Sequence, residues 1–169
     1  QLAQQHGVEN RVNFLQGDIQ EIDLAAAPFD AILMECVLSI LPKKEATLRR
    51  RLDSLRPGGY LGLTDVTVQG PLPHHLQGVL AIAACTGDAG LLEEYSTVIQ
   101  AAGFAVDQSQ DLPESAAAFL RGIKGNLLMA EVAIKLGKLP ISSDALTEGK
   151  RILAEVQDLA SQGVLSYGL

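Results

Sequence analysis

Two runs of sequence decide the fold: Phe29-Asp30-Ala31-Ile32-Leu33-Met34-Glu35-Cys36 and, further along, Leu55-Arg56-Pro57-Gly58-Gly59-Tyr60-Leu61. The apolar run over residues 29–34 predicts a strand covered on both faces, which is typical of a parallel sheet. Residues 44–55 predict a helix because leucines recur there at helical spacing, and the Pro-Gly-Gly run is expected to end it. A second strand is predicted over residues 60–68. This order of elements predicts right-handed crossovers in a doubly wound sheet.

The flanking sequence predicts further strands and helices. Residues 1–7 predict the tail of a helix that ends in glycine, and the alternation over residues 11–16 predicts a strand that runs into a turn at Gly17-Asp18. A short strand is predicted over residues 104–107, and the beginning of a last strand over residues 165–169. Helices are predicted over residues 75–84, 91–102, 114–136 and 144–161, the last with Ser143 or Asp144 as its N-cap.

These elements predict one α/β domain over residues 1–169. Residues 1–113 would form the sheet core, and residues 114–169 a helical tail with the start of the last strand. The expected architecture is a Rossmann-like, doubly wound sheet that is mostly parallel, with one late antiparallel strand and helices on both faces.

The composition indicates a globular protein with an acidic surface. The chain is 47% hydrophobic and its formal net charge is −7, which argues against a nucleic-acid partner because an acidic surface repels phosphates. No apolar run approaches the roughly 20 residues that span a bilayer, and no signal peptide is recognisable, so no membrane partner is expected. Two cysteines make no disulfide framework, and free thiols favour the cytoplasm. The basic residues around the 44–55 helix are expected to form a solvated face: Lys43, Lys44, Arg49, Arg50 and Arg51.

Polar and sulfur-bearing residues follow the predicted strands at their carboxyl ends, where doubly wound sheets bind ligands. Asp18 could accept the amine of an adenine while Ile19 lies against the ring, and the alternative for Gly17-Asp18 is a plain turn. Glu35 and Cys36 close the next strand. Their alternatives are an acid at a helix N-terminus and a small buried apolar side chain, respectively.

Three other residues are weaker candidates. Asp65 comes late in the second predicted strand and either borders the substrate side or simply terminates the strand. His74 and His75, taken with Cys85, match no zinc-ligand spacing. The two histidines are therefore interpreted as exposed loop residues.

The order of these motifs resembles that of class I S-adenosylmethionine-dependent methyltransferases. The Phe-Asp strand, the hydrophobic helix and the Leu-Arg-Pro-Gly-Gly run are similar to the second half of that fold. The resemblance implies S-adenosylmethionine as cofactor, with Gly17, Asp18 and Ile19 at its adenine and Glu35 near its methionine part. The family's glycine-rich loop does not occur in this sequence, which begins at Gln1. We therefore expect a fold that is incomplete at the N-terminus, and weak or no cofactor binding by this chain alone.

Residues 8–108 are similar in order and spacing to the arsenite methyltransferase branch. The similar runs include Glu35-Cys36-Val37-Leu38-Ser39, where Glu35 replaces the usual asparagine, and Ala84-Cys85-Thr86-Gly87-Asp88-Ala89. The resemblance implies that Cys36 and Cys85 are the catalytic, metal-ligating residues, because soft thiolates suit trivalent arsenic. Their sulfurs would then converge to on the order of 3–4 Å when both hold one arsenic.

Two other functions remain open at this point. The first is a small-molecule C- or O-methyltransferase of the quinone-biosynthesis type, in which Cys36 and Cys85 only pack. The second is a non-catalytic half-domain that dimerises or supports a partner. Whichever function holds, the incomplete fold is expected to leave a sheet edge unpaired, which favours a homodimer. Both enzyme interpretations imply a small-molecule substrate.

Overall fold

The structure is a computed structural model that describes residues 2–24, 28–70, 72–76 and 87–169. Its centre is a sheet of three strands: β1 (Phe29–Glu35), β2 (Leu55–Val68) and β3 (Leu165–Gly168), in the order β1-β2-β3. β1 and β2 are parallel, and β2 and β3 are antiparallel. The predicted architecture, a parallel core with one late antiparallel strand, is therefore confirmed.

Five helices are present in the described part of the chain. They are α1 (Leu2–Gln5), α2 (Lys44–Leu52), α3 (Leu92–Ala101), α4 (Pro113–Lys135) and α5 (Ser143–Ser161), with single 3₁₀ turns at Glu9–Arg11, Leu38–Ile40 and His74–Leu76. The predicted helix over residues 75–84 begins as the last of these turns, and its remainder lies outside the described residues.

The start of α5 differs by one residue from the prediction. Ser142, rather than Ser143 or Asp144, is the N-cap, and its Oγ accepts a hydrogen bond from the Ala145 amide at 3.2 Å. No described helix is long and apolar enough to cross a membrane.

Two predicted strands are wrong. Residues 12–16 carry no ladder, and Phe14 and Leu15 are 85% and 68% exposed. Residues 104–107 are likewise irregular; pairing begins only at Gln110, whose N–H and C=O bond to Leu169 at 2.8 and 2.9 Å. An alternating sequence becomes a strand only where a partner edge lies alongside it, and sequence pattern alone does not supply that partner.

The Pro57-Gly58-Gly59 run was expected to end a helix, and this expectation is also wrong. α2 already ends at Leu52, and the run lies inside β2 as an irregularity between the pairs Phe29↔Leu55 and Ala31↔Tyr60. Gly58 has φ +77°, and a Cβ on Gly59 would meet the carbonyl oxygens of Arg56 and Asp30 at 3.0 and 3.1 Å. Glycine is favoured at both positions, by backbone conformation at the first and by the close approach of backbone oxygens at the second.

Apolar clusters cover the two faces of the sheet. On one face, β1 and β2 pack against α2 and α3 through residues that include Met34, Leu48 and Tyr95. On the other face, Val66 and β3 pack against α4 and α5. Alternate residues of β2 join opposite clusters, as the period of a strand requires. The helices on both faces follow the predicted layering.

Candidate functional site

The carboxyl end of β1 carries the candidate site. Cys36 follows the strand directly and has φ +51°. Among the described residues, no other non-glycine residue has a positive φ. Its amide nitrogen donates to the Thr64 carbonyl at 2.9 Å, so the backbone stays attached to β2 while it turns. A left-handed conformation costs a non-glycine residue on the order of 1–2 kcal/mol. Glu35, beside it, is exposed, and Cys36 is half-buried and a free thiol.

The sulfur of Cys36 has a close polar neighbour. Its Sγ lies 3.0 Å from the hydroxyl oxygen of Tyr167 on β3. Tyr167 is buried, and burial, followed by the contact with Cys36, raises the pKa of its hydroxyl. The ring of Tyr167 packs against that of Phe119 on α4, with centroids 6.2 Å apart. The last strand and the helical tail therefore contribute to the surroundings of the thiol.

Asp65 supports the turn after Cys36 and does not end its strand, since β2 continues to Val68. Its side chain is 1% exposed. One carboxylate oxygen accepts from the Ser39 amide at 2.9 Å and the other from the Val66 amide at 2.8 Å. Asp65 is therefore not a strand terminator, and it holds the Leu38–Ile40 turn in place. The other interpretation, that it borders the substrate side, stays a prediction.

The segment after Cys85 lies against the same turn. The Asp88 amide donates to the Ser39 carbonyl at 2.7 Å, and the Asp88 carboxylate pairs with Lys44. Cys85 itself lies outside the described residues. The distance between the two sulfurs, on which the arsenic interpretation depends, therefore stays a prediction.

The predicted turn at Gly17-Asp18 is present in the structure as a hydrogen-bonded turn that begins at Asp18. The Asp18 carbonyl accepts from the Glu21 and Ile22 amides at 3.0 and 2.7 Å, and its carboxylate accepts from the Gln20 amide at 2.9 Å. Asp18 is exposed, so its carboxylate keeps lone pairs for a further donor. Ile19 is half-buried and packs against the cluster that contains Met34.

The expected solvated basic face of α2 is wrong for Arg51 and Lys44, whereas Arg50 is exposed. Arg51 is 1% exposed, and its Nη2 donates to the Ile22 carbonyl at 2.9 Å. Arg50 donates to the Glu21 carbonyl at 3.0 Å, and Lys44 is largely buried against Asp88. Burial lowers the pKa of Arg51. Arg50 and Arg51 fasten the loop of Asp18 to α2, so part of the basic run is structural.

Sequence reasoning missed Tyr167, because a contact between residues 131 positions apart leaves no local pattern. It also missed Ser39 and Arg51, whose roles depend on backbone partners. His75 pairs with Glu155, Nε2 to Oε1 at 2.7 Å. In the ranges that the structure describes, no three His, Cys, Asp or Glu side chains come together as a metal site.

A cavity of about 560 Å³ lies elsewhere, along the amino half of β2. It is bounded by residues 58–63, by α3 and by residues 103–109. Ligands of doubly wound sheets bind beyond the carboxyl ends of the strands. The end of β1, and not this cavity, is therefore the candidate site.

Comparisons with known proteins give a consistent result. Residues 1–113 match the family model described as "Methyltransferase domain". An arsenite methyltransferase of Aquipseudomonas alcaligenes is 31% identical over 106 residues, 60% of this chain and 30% of that protein. Methyltransferase GfsG of Streptomyces halstedii is 28% identical over 111 residues, 64% of this chain and 40% of that protein. The chain thus spans less than half the length of either relative.

A solved structure supports the same fold. A crystallised protein of Galdieria sulphuraria, assigned as a sarcosine dimethylglycine methyltransferase, superposes with a TM-score of 0.75 at 19% sequence identity. The superposition covers 99% of this chain and 61% of that one. At this identity the likeness is one of fold.

Proposed function

We propose that this chain, which belongs to the class I S-adenosylmethionine-dependent methyltransferase family, supplies the acceptor side of an enzyme that methylates trivalent arsenic. In this proposal Cys36 and Cys85 hold the arsenic as thiolates. The similarity to the arsenite methyltransferase of Aquipseudomonas alcaligenes supports this substrate. The match covers 30% of that relative, so the activity of a complete enzyme is itself part of the proposal.

One contact carries the proposal. The hydrogen bond from the Asp88 amide to the Ser39 carbonyl joins a residue three positions after Cys85 to a residue three positions after Cys36. Three residues reach at most roughly 10–11 Å when fully extended. That reach allows both thiols to meet at one atom beyond the end of β1, as the proposal requires.

The residues of this region suit a soft acceptor. Thiolates are the protein ligands that soft centres select, and the half-buried setting of Cys36 limits competition from water. Because the acceptor would be the lone pair of arsenic, the chain has to hold and orient it and does not have to remove a proton. S-adenosylmethionine supplies an electrophilic methyl group. In this proposal Asp18 accepts the adenine amine and Ile19 lies against the ring.

Arsenite binding to the chain tests the proposal, since Cys36 and Cys85 are its two cysteines. We expect one arsenite per chain, and we expect Cys36→Ser and Cys85→Ser each to lower the affinity about 100-fold, because one thiolate cannot replace a two-point attachment. The double variant, measured under the same conditions, gives the arsenite affinity of the chain without either thiol. Equal affinity in the wild type and in Cys36→Ser would remove arsenic as the substrate.

A second candidate function is a small-molecule C- or O-methyltransferase. The similarity to methyltransferase GfsG favours it, as does the packing of Cys36 against the apolar cluster of β3, α4 and α5. In that case both cysteines are packing residues. The arsenite titration separates the two candidates, because only the first predicts loss of binding in both single variants.

A further inference from the structure

We propose that Tyr167 is the positioning residue of Cys36: its hydroxyl donates a hydrogen bond to Sγ and fixes the direction in which the sulfur meets its ligand. The inference rests on the proposed function, since it concerns the thiol that would hold arsenic. It gives β3 a role that neither the sequence motifs nor the related proteins indicate. The observation that carries it is the 3.0 Å distance between Cys36 Sγ and the Tyr167 hydroxyl oxygen.

Tyr167 is held firmly enough to act in this way. On one side β3 pairs with β2, Tyr167 opposite Val66. On the other side the Tyr167 carbonyl accepts from the Leu112 amide at 2.6 Å. The side chain is buried, with Phe119 beside the ring. Because the hydroxyl is fixed by these contacts, the hydrogen bond restricts the position of the sulfur.

The direction of the hydrogen bond follows from the two groups. A phenolic O–H is a good donor, whereas a thiol is a weak donor and its sulfur a weak acceptor that improves on ionisation. Of the two groups 3.0 Å apart, the phenol is therefore the donor and the sulfur the acceptor.

Cys36 needs such a partner because of where it lies. It follows the end of β1 in a left-handed backbone conformation, half-exposed, with the chain turning away immediately after it. At metal sites, a group that hydrogen-bonds to a ligating side chain typically raises the affinity for the metal roughly 10- to 100-fold. The same physics applies to a thiolate that must share one arsenic with a second thiolate.

The test compares two buried tyrosines. Tyr167→Phe removes the hydroxyl at the sulfur, whereas the control Tyr95→Phe removes a buried hydroxyl that donates to the Val66 carbonyl at 3.0 Å. We expect Tyr167→Phe to lower arsenite affinity about tenfold, and Tyr95→Phe to leave it unchanged. Urea unfolding of both variants separates loss of stability from loss of binding.

A second readout does not depend on arsenic. In a Cys85→Ser background, iodoacetamide alkylates only Cys36, and at neutral pH we expect Tyr167→Phe to slow that reaction about tenfold while Tyr95→Phe does not. If 3-fluorotyrosine, a stronger donor of nearly the same shape, replaces Tyr167, the rate should rise.

The outcomes distinguish the two proposals. Unchanged alkylation and unchanged arsenite affinity in Tyr167→Phe would overturn the positioning role, as would an equal effect of Tyr95→Phe. If Cys36→Ser leaves the arsenite affinity unchanged, the proposed substrate is overturned instead. In that event the alkylation rates still decide whether Tyr167 governs the thiol.

Discussion

Cys36 combines a reactive side chain with a backbone conformation that favours glycine. At φ +51° the left-handed region disfavours any Cβ. The residue nevertheless bonds the Thr64 carbonyl through its amide and Tyr167 through its sulfur. Strain of this kind at single residues is a common property of functional sites.

The strain itself is measurable with a matched pair of variants. Cys36→Ala and Cys36→Gly both remove the sulfur, but only glycine adopts φ +51° freely. We therefore expect Cys36→Gly to be the more stable of the two by about 1 kcal/mol in urea unfolding. At Ala102, whose backbone is helical, the same exchange should have the opposite sign. A less stable Cys36→Gly would show that the conformation is not strained.

At the scale of elements, the sequence pattern predicted those strands and helices that local interactions determine. β1, β2 and α2 to α5 were expected from apolar periodicity and appear within a few residues of their predicted bounds. The strands expected at residues 11–16 and 104–107 failed because each needs a neighbour that the pattern does not specify. The Pro57-Gly58-Gly59 run was misassigned for a related reason. The same residues that end a helix also allow a strand to bulge against Asp30.

β1 has an edge with consequences for association. In the described ranges it pairs only with β2, and Leu33 is 84% exposed on it. We propose that copies of the chain associate through this edge, because an unpaired apolar strand edge recruits another strand. Leu33→Lys should shift sedimentation toward the monomer, whereas Leu136→Lys, on an exposed apolar residue beyond α4, should not. A wild-type chain that stays monomeric at high concentration would contradict the proposal.

At the scale of the whole molecule, the residues predicted to bind the cofactor are few. Asp18 and Ile19 lie on one loop and Glu35 at the end of β1, and no Gly-x-Gly-x-Gly run occurs in the 169 residues. We expect S-adenosylmethionine to bind this chain more weakly than about 100 μM, because two partial contacts provide only a small part of a ligand's binding free energy. Titration calorimetry measures this directly. Micromolar affinity would mean that residues other than these three bind the cofactor.

The candidate site was predictable in part for the same reasons as the fold. Strand ends could be located from the sequence, so Glu35 and Cys36 fell where a ligand would be expected. Tyr167 and Asp65 acquire their roles from pairing between distant segments. Arg51 was misjudged because a basic residue on a short helix is usually solvated, and its burial depends on the loop that covers it.

The antiparallel pairing of β2 with β3 also sets a condition on biosynthesis. Ribosomes add about 5–20 residues per second. β2 therefore leaves the exit tunnel roughly 5–20 s before β3 does. During that interval the nascent chain presents Asp65, Val66, Thr67 and Val68 without their partners. Cotranslational folding can thus build the β1-β2 half early, but the thiol of Cys36 acquires its phenolic neighbour only when translation has passed Tyr167.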